Sequence, residues 1–350
     1  MRTTGRCLLC CLLLSLSAMS AHSQTTYTMR VLGMYADGAL ATDINDKGQI
    51  VGYHRGPWGQ SAWMLDGDRW DTSMGGFAAQ AINNNSVVAG SDYANNPYYA
   101  MYAQTYYGGQ WHLLNTVSGI ATSSDSEDIN DLGSVVGYCS VGTQTSTGSW
   151  TSATSAFLCK GGVTSTLAYL GGISYAEGIN IHDQVVGYWN KNAGWSDNKA
   201  FLWDGNTVTW LPMLDGATSS LAWAINDSGA IVGQCGGRPV IWENGGVRAL
   251  ATSSTMSGNA FDINNRGQIV GYVGGTGYIW DGDTTYDLGN GNVPYAINDH
   301  GVAVGGSSVV PNLPGTMPAI WTQVPEPESI ICLLSGLSAV ALVCRRRRIL

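Results

Sequence analysis

The stretch Asp43-Ile44-Asn45-Asp46-Lys47-Gly48-Gln49-Ile50-Val51-Gly52-Tyr53 decides the fold. An apolar strand end meets Asn-Asp-x-Gly, and an apolar-Gly strand follows. Asn and Gly tolerate positive φ, so such a turn closes a hairpin at little cost. The pattern returns as DINDLGSVVGY from Asp128, AINDSGAIVGQ from Ala224 and DINNRGQIVGY from Asp262. Its Ile-Asn pair occurs seven times, ending at Asn45, Asn83, Asn130, Asn180, Asn226, Asn264 and Asn298, with spacings of 38, 47, 50, 46, 38 and 34 residues. Self-similarity at such periods marks a repeat architecture.

Working outward from each copy, a further strand carries an aromatic residue: SAWMLDG from Ser61, SAFLCKG from Ser155, KAFLWDG from Lys199, PVIWENG from Pro239, GYIWDGD from Gly277 and PAIWTQ from Pro318. A short strand usually follows, such as TVTWLPML from Thr207. Each unit therefore reads as four short strands, and four strands per unit of about 40 residues describe a β-propeller blade. The phase of the repeat argues for closure. Residues 27–32 look like a lone fourth strand, and the last repeat has only three. The N-terminal strand can complete the seventh blade and leave no open edge. The expectation is an all-β, seven-bladed β-propeller over residues 24–323, closed by its N-terminal strand. A linear β-solenoid would not need this permutation.

The ends carry a different message. Arg2 and Arg6 precede an apolar run from Cys7 to Leu16, and Ala21-His22-Ser23 is a small-x-small cleavage pattern. Residues 1–23 read as a secretory signal peptide, removed by signal peptidase. At the other end, Pro325-Glu326-Pro327 precedes an apolar stretch from Ser329 to Cys344 and the cluster Arg345, Arg346, Arg347 and Arg348. Sixteen residues are short for a stable span, and the arginines would stay cytoplasmic. This tail, residues 324–350, resembles the PEP-CTERM sorting signal of Gram-negative bacteria. The resemblance implies transient residence in the inner membrane, processing by an exosortase, and release to the cell surface or exopolysaccharide matrix. A plain C-terminal anchor is the alternative.

The repeats also resemble the HAF family of probable extracellular repeats, most closely over Leu170-Gly171-Gly172-Ile173-Ser174-Tyr175-Ala176-Glu177-Gly178-Ile179-Asn180. The family's His before Ala-Phe is Ser155 and Lys199 here. The resemblance implies fold and location and brings no catalytic residues.

Composition narrows the function. Between Gln24 and Gln323 stand 10 basic and 23 acidic residues. No basic stripe is available to neutralise phosphates, which argues against nucleic acid. Outside the two ends three cysteines remain, Cys139, Cys159 and Cys235. Three cannot all pair, so this is no disulfide scaffold. Asp43-x-Asn45-x-x-Gly48 lacks the further oxygen ligands of a calcium loop and reads as a hairpin turn. His54, His112, His182 and His300 lie in different repeats without partners at ligand spacing. No metal or other cofactor is expected. Glu127, Glu177 and Glu243 could supply a paired-carboxylate hydrolase site, but nothing in their spacing favours one.

If the fourth strand is outermost, loops one-two and three-four share one tight face, and loops two-three and four-one share the other. The two-three loops of repeats one to four are aromatic: Trp58; Tyr93, Tyr98 and Tyr99; Trp150; Trp189 and Trp195. Flat rings beside Asn, Asp and Ser suit sugars. The sequence reading is thus a non-enzymatic surface or matrix protein that binds polysaccharide through these aromatics. Its alternatives are a protein-binding matrix scaffold and a glycoside hydrolase or lyase on the same scaffold.

Overall fold

In five of the seven hairpin turns a glycine takes the left-handed conformation, from Gly301 at φ 77° to Gly229 at φ 84°. Ser86 and Asp183 hold that place in repeats two and four, at φ 63° and 57°. These turns join the first and second strands of seven four-stranded antiparallel sheets, as shown by a computed structural model that describes residues 26–324 apart from 34–37, 57–58, 94–99, 116–120, 145–149, 168–171, 192–196, 251, 253–255 and 309–314. Residues 1–23, read from the sequence as a signal peptide, and Pro325, Glu326, Pro327 and Arg345 to Arg348, read as a sorting signal, lie outside the described residues.

The blades follow one another in chain order. Their first strands are Ala39–Ile44, Ala78–Ile82, Ala121–Ile129, Ile173–Ile179, Ser220–Ile225, Gly258–Ile263 and Asn292–Ile297. Each is followed by its second, third and fourth strands in spatial order. Blade seven takes its fourth strand from the other end of the chain. Tyr27–Val31 pairs antiparallel with Met317–Gln323, with Met29 opposite Trp321. The predicted closure is therefore the observed one, and Tyr27–Gln323 forms one compact unit.

The core lies between blades. Val136, Ala156 and Leu158 of blade three pack on Ala176, Ile179, Val185 and Phe201 of blade four. Val232 and Ile241 of blade five meet Ala260, Ile263, Ile269 and Trp280 of blade six in the same way. Sheets buried on both faces explain the continuous Ile-Val and Ala-Phe-Leu runs, which would alternate if one face met water. Cys139, Cys159 and Cys235 are buried and unbridged. Cys159 pairs with Val135 and Cys139 with Ser155, so the first two thiols sit four residues apart along one hairpin.

One irregularity repeats in every blade. Pairing between the first and second strands skips a residue three positions before the Asn: Thr42, Gln80, Glu127, Glu177, Trp223, Phe261 and Tyr295. Such a bulge bends the strand and re-aims the extra side chain. The glycine of Val-Val-Gly-Tyr is what permits it. A Cβ on Gly52, Gly137, Gly187, Gly233 or Gly271 would stand 2.0 Å from a first-strand carbonyl oxygen, and one on Gly90 or Gly305 2.1 Å. No side chain fits there.

Candidate functional site at the wide end of the channel

The seven first strands surround a central channel whose two ends differ. At the tight end, each repeat Asn closes its own turn and reaches its neighbour. Asn264 Oδ1 accepts from the Arg266 and Gln268 N–H groups at 3.1 and 2.9 Å. Its Nδ2 donates to the Asn298 carbonyl at 2.8 Å. The same donation runs from Asn45 to Asn83, Asn83 to Asn130, Asn130 to Asn180, Asn180 to Asn226 and Asn226 to Asn264. Asn298 donates to Asn45 at 3.1 Å and closes the ring. The hairpin reading of the motif was right locally but missed this ring. The signal was available: a turn alone accepts Asp or Ser at that position, yet all seven copies are Asn.

A second tier ties three blade pairs. Asp43 accepts from Ile44 N–H through Oδ1 and from Ile82 N–H through Oδ2, both at 2.7 Å. Asp128 does the same for Ile129 and Ile179, and Asp262 for Ile263 and Ile297. Burial raises all three carboxyls, Asp128 to about 7 and Asp262 to about 6, although the backbone donors pull the other way.

Toward the wide end the wall is made by the seven bulge residues. All seven are half-buried, whereas the residues just before them, from Ala41 to Pro294, are fully buried. Blades one to four contribute Thr42, Gln80, Glu127 and Glu177. Blades five to seven contribute Trp223, Phe261 and Tyr295. The wall is therefore polar on one side and aromatic on the other. A cavity of about 410 Å³ opens against it, lined among others by Thr42, Gln80, Tyr295, Tyr53, Arg55, Gln60 and Asp125.

Aromatic rings continue around the wall. Tyr138 meets Tyr175 edge-on at 4.8 Å, Tyr175 stacks on Tyr188 at 4.9 Å, and Tyr188 meets Trp223 at 5.9 Å. Trp223 Nε1 donates to Asn259 Oδ1 at 3.2 Å. Phe261 lies between Tyr272 and Tyr295, at 5.5 and 5.2 Å.

Three carboxyls sit within this belt. Burial, with the Glu177, Asp125 and Asp128 charges, pushes Glu127 well above the usual carboxyl range. Burial and Asp125 push Glu177 up to about 8. Burial raises Asp125 to about 6 against the opposing pull of Ser91, the Ser126 N–H and Tyr138. Ser91 lies near enough to favour the ionised form. Even so, Ser91 Oγ and Asp125 Oδ1 are buried atoms that complete no hydrogen bond within the protein.

Of the three glutamates singled out in the sequence, the structure brings Glu127 and Glu177 together and leaves Glu243 apart, paired with Arg248 at 3.1 Å. Of the loop aromatics, Trp189 lies in the strand Val185–Asn190, half-buried, with its ring tilted on Trp210 at 5.4 Å. Tyr93 and Trp150 fall at the ends of the strands Val88–Tyr93 and Trp150–Lys160. Trp58, Tyr98, Tyr99 and Trp195 lie outside the described residues. Sequence reasoning singled out Glu127 and Glu177 by residue type and missed the other five wall residues, because it looked for aromatics in the variable loops. The variation that matters is in residue type at one register position. Among the described residues no group of three His, Cys, Asp or Glu side chains is arranged to hold a metal ion.

No family model matches the chain, and neither does any curated protein. Solved structures do. A Mycobacterium tuberculosis puromycin-hydrolyzing peptidase matches at TM-score 0.59 and 10% identity, over 82% of this chain and 52% of its own. The acylaminoacyl peptidase of Pyrococcus horikoshii matches at TM-score 0.55 and 8% identity, over 85% and 54%. This chain thus spans about half the length of those two. Virginiamycin B lyase of Staphylococcus aureus matches at TM-score 0.53 and 9% identity, over 86% of this chain and 100% of its own. At such identities the likeness shows the propeller fold alone.

Proposed function

We propose that this chain is an exported, non-enzymatic carbohydrate-binding propeller whose site is the wide end of the channel. One observation carries the reading: the seven bulge positions place polar side chains on one wall and Trp223, Phe261 and Tyr295 on the other. A sugar ring has the matching chemistry, an apolar face that stacks on aromatic rings and hydroxyls that meet amides and carboxyls. The protonated forms of Glu127 and Glu177 can donate as well as accept. In this reading residues 1–23 direct export and are cut away. The tail 324–350 passes through the inner membrane to an exosortase, and the propeller reaches the cell surface or matrix, where exopolysaccharide is its partner. The test is a titration of residues 24–323 with the exopolysaccharide of the producing bacterium. Saturable binding that Trp223→Ala abolishes supports the proposal, and binding indifferent to that change removes it.

A second reading is favoured by Glu127 and Glu177 themselves. Two carboxyls from adjacent blades, each raised by burial and by acidic neighbours, are the candidates for the acid and base roles of a glycoside hydrolase or lyase. Release of new reducing or unsaturated ends from the polysaccharide would decide for it.

A further inference from the structure

We infer that the acidic half of the channel wall is a subsite for a protonated amine on a saccharide, with Asp125, Glu127 and Glu177 as its counter-ions and Tyr175, Tyr188 and Trp223 as its aromatic sides. The inference rests on the saccharide reading above and deepens it.

Three acids placed together in a desolvated wall need neutralising, either by protons or by a cation. Among the described residues no ion pair with a Lys or Arg is seen at these three acids; the Lys160–Asp183 and Arg248–Glu243 pairs stand elsewhere. The groups acting on the cluster are acids and phenols: Asp128 on the same strand, Tyr138 from the second strand of blade three, and Tyr175 and Tyr188 from blade four. Arg55, the one base lining the 410 Å³ cavity, is exposed at the blade-one rim. Asp125 is 7% exposed and lines that cavity, yet its Oδ1 has no hydrogen-bond partner, and neither has the fully buried Ser91 Oγ. Unfilled acceptors beside a cavity suit a donor brought by a ligand.

The aromatic belt selects the kind of cation. Ring faces attract an organic ammonium, while they offer no oxygen ligand to a metal ion. The described residues also hold no three-ligand metal group. An amine on a hydroxylated ring satisfies both halves of the wall at once.

Binding and protons are linked. A bound ammonium lowers the pKa of the carboxyls it meets, so protons leave as it arrives. Below about pH 6 Asp125 too takes up its proton, and above about pH 8 a sugar amine loses its charge, so affinity peaks between.

The test is isothermal titration of the full chain near pH 7 with a glucosamine tetramer, its N-acetylated counterpart and a glucose tetramer, in two buffers of different ionisation enthalpy. The glucosamine oligomer should bind about tenfold more tightly than the other two, with net proton release. Glu127→Gln/Glu177→Gln should erase that preference and the proton release while neutral binding persists. Equal affinity for all three oligomers overturns the amine inference and leaves the saccharide reading standing. No binding of any oligomer overturns both. A preference that survives in the double variant also overturns the inference, because the amine would then lie elsewhere. Proton release in the unmodified protein is an independent readout, unaffected by how well the variant folds.

Discussion

The two ends of one channel obey opposite rules. At the tight end seven copies of the same residue, from Asn45 round to Asn298, make the same bond to the next blade. A few residues earlier on the same strands, the seven wall positions hold Thr, Gln, two Glu, Trp, Phe and Tyr. The first set is uniform because ring closure demands it: one residue unable to donate breaks a seven-membered cycle. The second set is free to differ because the bulge removes those residues from both the sheet ladder and the interblade core. Within this chain, sameness marks what folds the propeller, and variety at a fixed register marks the proposed ligand site.

The glycine behind the bulge offers the strongest way to break that contrast. Gly271→Ala should cost more than about 3 kcal/mol or abolish folding, because its Cβ would stand 2.0 Å from the Asn259 carbonyl oxygen. Gly67→Ala in an outer turn meets open space and should cost only about 1 kcal/mol for its positive φ. Urea denaturation of the two variants compares them directly.

The ring comes next. Asn264→Asp keeps the oxygen that caps the turn at Arg266 and Gln268 but loses the Nδ2 donor to Gln268 Oε1 and the Asn298 carbonyl. If the residue only closed a turn, Asp would be nearly neutral. The ring predicts a loss of about 2–4 kcal/mol, since a buried carboxylate would then face a carbonyl oxygen. Urea midpoints at fixed pH read the difference.

The wall should respond with the opposite sign. Folding raises Glu177 from 4.5 to about 8, and burial raises Glu127 in the same direction. The folded state therefore holds more protons than the unfolded one between about pH 4 and 8. These groups favour folding at the acid end of that window, and their contribution is lost as pH rises through the folded value. Glu127→Gln/Glu177→Gln should accordingly stabilise the protein by about 1–2 kcal/mol at pH 8 and change little at pH 5. Thermal melts across that range check the sign. A double variant less stable at pH 8 would mean that the pair forms bonds in its charged state.

The smallest effect belongs to the turns themselves. Ser86→Gly relieves a left-handed conformation but removes the Ser86 Oγ bond to Gln49 Oε1 at 2.7 Å. The two terms nearly cancel, and the midpoint should move by less than about 1 kcal/mol.

How far the sequence could be read follows the same division. The blade count, the closing strand and the facing of the loops were legible because they rest on turn chemistry, apolar runs and phase, all local in the chain. The Asn ring was not, because its bonds join residues 34 to 50 positions apart and, at the closure, Asn298 to Asn45. The wall was hidden for a subtler reason. Strict alternation along Ala41-Thr42-Asp43 assigns Thr42 and its six equivalents one side of a regular strand, and only the skipped pairing re-aims them. Glu127 and Glu177 stood out by residue type, but their partnership needed the register of two blades. The Trp189 ring packs on Trp210 between strands of its own blade, a contact that composition alone does not reveal.

The central claim is that ligand recognition belongs to the channel wall, and one side-by-side binding measurement tests it most directly. The exopolysaccharide of the proposal is titrated into two variants, one altered at the wall (Glu127→Gln/Glu177→Gln/Trp223→Ala) and one at the aromatics singled out in the sequence (Trp58→Ala/Trp195→Ala). The account predicts that the wall variant unfolds cooperatively like the parent yet binds nothing, while the loop variant binds like the parent. Binding kept by the wall variant and lost by the loop variant would contradict it and return the site to the loop aromatics.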